Sequence, residues 1–257
     1  KTMKDCQIVF HLAALIGIPY SYLSPLAYLK TNVEGTYNIL EAAKHFNISQ
    51  TIITSTSETY GSATYVPMDE SHPIRAQSPY SASKISADLL AKSYWYSFRL
   101  PIKIIRPFNI YGPRQSSRAV IPSIIMQALN SKNEIKLGNV TPSRDFTYVT
   151  DTSNAFLEML KIKDFFGETL NVGTNTEYTI EDIAKKILKK MNSSAIIKKD
   201  EKRERIKKSE VERLVCDNRK ILKQTAWKPK INFEEGLDLT INWFRKNKEL
   251  FKHDIYH

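Results

Sequence analysis

Short β-branched runs alternate along this chain with longer stretches whose apolar residues recur every three or four positions, the pattern of an α/β protein. Thr51-Ile52-Ile53-Thr54 and Ile102-Lys103-Ile104-Ile105-Arg106 read as buried strands, and Leu170-Asn171-Val172-Gly173 as another. Two shorter strands are predicted at Glu134 to Gly138 and Thr147 to Val149. From Thr31, apolar positions at Val33, Ile39, Leu40, Ala43 and Phe46 trace one face of a helix. Ser78 as N-cap and Pro79 at the first helical position open another. Further helices are expected over Ala119 to Asn130, over Thr152 to Leu160 with Asp151 as cap, and over Ile180 to Met191. Asp217-Asn218-Arg219-Lys220 starts a helix that Trp227-Lys228-Pro229 ends, and Phe233, Leu237, Ile241 and Phe244 are core positions of a C-terminal one. Ile18 to Tyr22 reads as a loop, touching ligand or simply packing two tyrosines. No internal repeat or low-complexity linker is present.

The chemistry gathers where the first of these strands ends. In a parallel α/β sheet, ligands bind beyond the carboxyl ends of the strands. Thr51–Thr54 runs into Ser55-Thr56-Ser57-Glu58, three hydroxyls and a carboxylate. Tyr80 and Lys84 follow on the Ser78 helix, four apart and therefore on one face. A phenol has a pKa near ~10 and is a poor base at neutral pH. An ammonium one turn away is expected to draw it toward the working range. With 13 tyrosines, about one Tyr-x-x-x-Lys arises by chance, so the position after the hydroxyl cluster carries the argument. Asn109, at the end of the Ile102 strand, either donates to a phosphate or sugar oxygen or closes the turn before Tyr111-Gly112-Pro113.

Composition narrows the classes. A chain of 257 residues with 42% hydrophobic content can bury a sizeable core. No run of about eighteen apolar residues occurs, so no membrane span is expected. Cys6 and Cys216 lie far apart without metal-ligand spacing, which predicts a reduced cytoplasmic protein with no metal site. The formal charge is +11, concentrated between Lys185 and Lys208 where basic and acidic residues alternate without aromatics. That pattern fits solvated helix faces and an anionic small ligand, not nucleic acid.

Four ordered motifs carry a resemblance over nearly the whole chain: STSETYG, SPYSASK, RPFNIYGPR (Arg106 to Arg114) and RDFTYVTD (Arg144 to Asp151). Together they resemble the extended short-chain dehydrogenase/reductases of the NAD-dependent epimerase/dehydratase family, which act on nucleotide sugars. The longer strings TSTSETYGSATYVPMDESHP and GPRQSSRAVIP are most similar to one branch. That branch comprises the nucleotide-activated N-acetylglucosamine 4,6-dehydratases of legionaminic acid biosynthesis.

The resemblance implies a Rossmann-like, doubly wound parallel sheet with a smaller α/β substrate lobe. Residues 1–113 would be a partial NAD-binding domain carrying the catalytic residues. Residues 114–257 would be mainly the substrate lobe, with about 145–165 returning to the first domain. Asp5 to Ala14 resembles the family's fourth strand and its small-residue turn. Only eight glycines occur, in no Gly-x-x-Gly-x-x-Gly or Gly-x-Gly-x-x-Gly, so roughly sixty residues with the pyrophosphate loop are expected before Lys1. Leu12, Ala13, Ala14, Ser55, Tyr80, Lys84 and Pro107 would lie against NAD, with His11 structural rather than catalytic. Asn109, Arg118, Arg144 and Arg205 would hold a UDP- or GDP-linked sugar, Arg144 by gripping the diphosphate and Arg205 by reaching the nucleotide, unless Arg205 is merely a solvated side chain. The Thr31 and Tyr80 helices would pair with a second copy in a homodimer.

In the implied reaction Tyr80 and Lys84 remove the C4 hydroxyl proton, Thr56 holds that oxygen and Glu58 takes the C5 proton. Ser57 replaces an aspartic acid of the glucose-nucleotide dehydratases, so it either orients the leaving group or leaves Glu58 to return the proton. The Thr-Ser-Glu triplet is shared with nucleotide-glucuronate decarboxylases, for whose carboxylate Arg114 and Arg118 are available. A 4-epimerase and a non-catalytic sugar-nucleotide-binding lobe are the remaining alternatives.

Overall fold

The structure, a computed structural model, describes residues 2–131 and 133–251. Strand β1 (Ile8–His11) leads through a loop into helix α1 (Ile18–Leu23), then α2 (Pro25–Tyr28), a wide π-helical turn (Leu29–Glu34) and α3 (Gly35–His45). The segment expected as a loop at Ile18–Tyr22 is therefore helical, with Pro19 in its first turn and Ile18 and Ser21 buried. Strand β2 (Gln50–Thr54) follows, then a single 3-10 turn (Ser57–Tyr60), the long helix α4 (Pro79–Phe98) and strand β3 (Ile102–Pro107). One residue later the chain re-enters a strand, β4 (Asn109–Tyr111), in a different sheet.

The remaining elements are α5 (Val120–Asn130), β5 (Glu134–Leu137), β6 (Ser143–Tyr148), α6 (Val149–Lys161), β7 (Thr169–Val172) and β8 (Glu177–Thr179). They are followed by α7 (Ile180–Lys190), β9 (Ile196–Lys199), β10 (Arg213–Leu214), α8 (Arg219–Gln224) and α9 (Phe233–Lys246).

Strands β1, β2, β3 and β7 form a parallel sheet in that order. Successive residues of a strand face opposite sides, and the two isoleucine pairs divide accordingly. Ile53 and Ile104 pack with Leu40 and Ala43 of α3 and with Ala91 and Tyr94 of α4. Ile52 and Ile105 pack on the other face with Ala155 and Met159 of α6, Ile221 of α8 and Trp227. The result is the three-layer, Rossmann-like α/β arrangement expected from the sequence. On the outer edge, β1 leaves Ile8 and Phe10 exposed.

A second core joins β4, β6, α5, α7 and α9 around Tyr111, Phe146, Ile187 and Phe244. Strand β6 lies parallel to β4 and β10 and antiparallel to β8, and β5 pairs with β9. Two expectations change here. Strand β6 begins at Ser143 and so includes Arg144 and Asp145, which were expected to precede it. Helix α6 starts at Val149, and Asp151 lies inside its first turn rather than capping it. The Asp151 carboxylate instead accepts from the backbone N–H groups of Lys230 and Ile231, both at 2.9 Å, and pins the segment before α9.

The basic stretch near α7 forms surface ion pairs, among them Lys185–Glu181, Lys186–Glu234 and Lys190–Asp238. Among the described residues no helix is long and apolar enough to cross a membrane.

Gly236 of α9 faces the fully buried Tyr111, whose hydroxyl donates to the Phe233 carbonyl at 3.2 Å. A Cβ at this position would overlap that hydroxyl. We expect Gly236→Ala to lower the unfolding free energy by about 1–3 kcal/mol in denaturant titration, despite alanine's better helix propensity.

Candidate active site

The site is built where β1, β2 and α4 converge. Thr56 adopts extended backbone and its hydroxyl accepts from the Glu58 N–H at 3.3 Å, starting the turn that holds Ser57 inward. Gly61 closes this turn at φ +64, where a side chain would run into the Arg75 carbonyl and the Gln77 side chain. Helix α4 starts on the expected Ser78-Pro79 signal. Ser78 Oγ accepts from Ser81 N–H at 3.1 Å, and Ser81 Oγ accepts from Ser78 N–H at 3.0 Å. This reciprocal cap fixes the first turn of the helix, and with it Tyr80.

Tyr80 and Lys84 are both buried on one face of α4. The Tyr80 hydroxyl is hydrogen-bonded to Thr56, and the Glu58 carboxylate is near enough to act on it electrostatically. The Tyr28 ring meets Tyr80 edge to face at 6.1 Å between centroids. Burial is the dominant influence on the phenol and pushes its pKa well up; the Thr56 hydrogen bond opposes this, while Glu58 adds to it. The expected lowering by the Lys84 ammonium is not the controlling influence in this state. Lys84 is itself held down by burial, with Asp88 opposing. Its Nζ donates to the Thr54 carbonyl at 2.5 Å. An ammonium has three donors, so a second partner bearing hydroxyl oxygens would fit here.

His11, at the end of β1, shares a 3.1 Å hydrogen bond with the Thr36 hydroxyl. Burial, then the Lys84 charge, bring its pKa down to about 4. The loop after β1 is clamped by Asn32, which donates to the Leu15 carbonyl at 3.0 Å and to Ser83 Oγ at 2.9 Å, and accepts from Leu15 N–H at 2.8 Å. Tyr28 also donates to the Gly17 carbonyl. In that loop Leu12 and Ala13 are exposed and Ala14 is half-buried.

Beneath the site lies a polar network that the sequence reading did not assign. Arg106 of β3 and Asp88 of α4 form an ion pair at 2.7 Å, with both side chains almost wholly buried. Ser55 donates to the same Asp88 oxygen at 2.6 Å, so its hydroxyl belongs to this pair. The Tyr60 ring covers the guanidinium at 4.6 Å, and its hydroxyl donates to Asn171 Oδ1 at 2.7 Å. The available signals were Asp88, one turn beyond Lys84, and a charged residue inside an apolar strand.

The predicted ligand arginines separate into two groups. Arg144 is buried, donates to the Ser143 carbonyl at 2.9 Å and lies 3.5 Å from Glu210. Arg205 lies 3.7 Å from Glu58 and 3.6 Å from Glu210, so these two arginines share one charge cluster with the candidate base. Arg118 is exposed and acts electrostatically on Tyr28, beside Tyr80. Pro107 is buried at the last position of β3. Asn109 Oδ1 is buried and has no hydrogen-bond partner among the described residues, which suits a ligand donor.

Residues 2–240 match the family model described as GDP-mannose 4,6 dehydratase. The chain is 32% identical to the human dTDP-D-glucose 4,6-dehydratase over 247 residues, covering 95% of this chain and 70% of that one. It is 33% identical to the UDP-glucuronate 4-epimerase of Thermodesulfobacterium geofontis over 247 residues, covering 95% and 74%. Among solved structures, the dTDP-glucose 4,6-dehydratase of Streptomyces venezuelae with NAD bound superposes with a TM-score of 0.90 at 26% identity. That superposition covers 98% of this chain and 77% of the other. The UDP-N-acetylglucosamine 4-epimerase of Methanobrevibacter ruminantium, in complex with UDP-N-acetylmuramic acid, gives 0.87 at 32% identity over 96% and 79%.

Two outcomes follow from the site's burial. Arg106→Leu strands Asp88 as a buried charge, and we expect a loss of about 3–5 kcal/mol in unfolding free energy by denaturant titration. The folded His11 takes up a proton only near pH 4, whereas the unfolded chain does so near pH 6.5. As pH falls from 6.5 to about 4 the unfolded state therefore binds the extra proton and stability declines. Thermal unfolding across this window should show a shallower decline for His11→Asn than for the parent protein.

Proposed function

The chain belongs to the extended short-chain dehydrogenase/reductases, as a member of the NAD-dependent epimerase/dehydratase family that acts on nucleotide sugars, and on that footing we propose that it is a nucleotide-sugar 4,6-dehydratase. The observation that carries the choice within the family is the Glu58 carboxylate set beside the Thr56–Tyr80 hydroxyl pair. Oxidation at C4 alone, as in a 4-epimerase, requires only a base for the hydroxyl. Removing the C5 proton requires a second base, and Glu58 is placed for it. The branch resemblance of TSTSETYGSATYVPMDESHP and GPRQSSRAVIP supports UDP- or GDP-N-acetylglucosamine as substrate and a place in legionaminic acid synthesis.

The residues present fit the cofactor in part. The buried Lys84 ammonium and the Tyr80 hydroxyl suit ribose hydroxyls, and Leu12, Ala13, Ala14 and Pro107 are proposed to line the rest of the cofactor site. No glycine-rich loop for a pyrophosphate occurs in residues 1–257. NAD, when bound, would supply hydride-accepting and hydride-donating chemistry for C4 and C6.

The chain's own residues handle two protons. Tyr80, steadied by Thr56, takes the C4 hydroxyl proton, and Lys84 offsets the phenolate that results. The C4 ketone acidifies the C5 hydrogen, which Glu58 removes. One proton leaves with the C6 hydroxyl as water and one returns to C5, so the count closes on a 4-keto-6-deoxy sugar. Ser57 is too weak an acid for the first delivery, and Glu58 is the group that can hand on the proton it has taken. Asn109 and the Arg144–Arg205 cluster are proposed to hold the nucleotide diphosphate. A nucleotide-glucuronate decarboxylase is the second reading, favoured by Arg118 beside Tyr28 as the cation for a sugar carboxylate. The Thr31 and Tyr80 helices, with Tyr37, Leu89 and Tyr96 exposed, are proposed as the face of a homodimer.

Mass spectrometry of the full-length protein with NAD and UDP- or GDP-N-acetylglucosamine, dTDP-glucose and UDP-glucuronate tests this. We expect loss of one water from a hexosamine nucleotide and, in heavy water, one deuteron at C5 of the product. Glu58→Gln should lower both by about a hundredfold or more while retaining nucleotide-sugar binding. Loss of carbon dioxide from the glucuronate alone would move the assignment to the decarboxylase. An epimerised sugar of unchanged mass would move it to the 4-epimerases.

A further inference from the structure

The cluster of charges around Glu58 has an unusual geometry. Arg205 Nη1 lies 3.7 Å from Glu58 Oε1 and 3.6 Å from Glu210 Oε1. Glu210 Oε1 is also 3.5 Å from Arg144 Nη2. Charge-assisted hydrogen bonds normally close to about 2.7–2.9 Å, so two cations and two carboxylates attract one another here at longer range. Arg205 Nη1 is buried without a hydrogen-bond partner among the described residues, an arrangement that costs free energy. The two guanidiniums also oppose each other, since the Arg205 charge helps hold the Arg144 pKa down after burial. A dianionic ligand would relieve both defects.

Arg205 has a way to reach such a ligand. It lines a cleft of about 170 Å³ together with Tyr22 and Leu23 of α1 and with Lys202, Arg203 and Glu204. Three basic side chains against one acid suit an anion. The 3-10 turns on either side, Glu201–Arg203 and Lys207–Ser209, leave Arg205 in the link between them. The second turn is tied to α1 by the 2.6 Å hydrogen bond between the Tyr22 and Ser209 hydroxyls.

We infer that Arg205 is a latch on Glu58 that the diphosphate of a nucleotide sugar opens. This rests on the reading of Glu58 as the base for C5. Without ligand, the guanidinium holds the carboxylate by charge. A carboxylate oxygen engaged by that cation is not free to approach the sugar. A diphosphate in the cleft offers Arg205 paired phosphate oxygens matched to its planar fork. The guanidinium turns to them, and Glu58 is released toward the sugar. Arg205 is thus a positioning residue for the base as well as a ligand for phosphate. Proton abstraction is coupled to occupancy of the phosphate site.

Linkage supplies the test, because Glu58 and the diphosphate compete for one guanidinium. Calorimetry would measure UDP, GDP and dTDP binding to the full-length protein with NAD, none of them carrying a sugar for Glu58 to touch. Arg205→Gln should weaken the preferred nucleotide about tenfold. Glu58→Gln should tighten it about threefold, and Glu210→Gln, which frees Arg205 from its other carboxylate, should also tighten it. In the Arg205→Gln background, Glu58→Gln should change nothing. Unchanged affinity in Glu58→Gln and Glu210→Gln, with weakening in Arg205→Gln, overturns the latch and leaves the dehydratase reading intact. Unchanged affinity in Arg205→Gln also overturns it. If none of the three nucleotides binds the parent protein, the nucleotide-sugar reading fails, and the latch fails with it.

Discussion

The buried ion pair between Asp88 and Arg106 is the interaction on which the site depends. It joins the helix that carries Tyr80 and Lys84 to the central strand β3. Ser55, at the end of β2, binds the same carboxylate oxygen, and Tyr60 lies over the guanidinium while bonding Asn171 of β7. One network therefore sets the carboxyl ends of three strands against one turn of α4. Removing such charges from water costs several kcal/mol per ion even after relaxation, so the pair persists only where geometry and added hydrogen bonds offset that cost. Lys84 sits one helical turn from Asp88. A displaced Asp88 would carry the candidate catalytic turn with it.

Around this joint the candidate catalytic groups are governed by burial and by one another's charge. Burial raises the Tyr80 phenol and lowers Lys84, and Arg205 stands over Glu58. For the phenol and the ammonium the cause is dehydration, which penalises the charged form of each. Charges that arrive with a ligand would meet few water dipoles to screen them, and each would act more strongly for that reason.

Much of the framework was legible in the sequence because it follows from local rules. The β2 and β3 runs, the Ser78-Pro79 helix start and the apolar face of α3 each depend on residues within a few positions of one another. The failures share the opposite property. Arg144 and Asp145 read as a polar lead-in, yet they lie within β6. Their partners, Glu210 for the arginine and Thr174 and Cys216 for the aspartate, are brought there only by folding. Asp151 looked like a cap, but its acceptors serve Lys230 and Ile231, far along the chain. The helix at Ile18–Leu23 is too short to show a period, and Asp88 and Arg106 gave no hint that they were a pair. Single-sequence patterns report neighbours along the chain; the polar centre of this site is made almost entirely by neighbours in space.

The passage from β3 to β4 has its own implication. Only Phe108 separates the two strands, and its N–H is fixed to the Val172 carbonyl at 2.8 Å. The return from β6 to α6 has no intervening residue at all. At these two crossings the cores are thus welded rather than hung on a flexible link. In evolutionary terms, such a weld lets the loops and helices of one half be rewritten for a new sugar while the chemistry of the other half stays in place. Innovation in a protein built this way would come by editing the rim of the site, with its centre inherited unchanged.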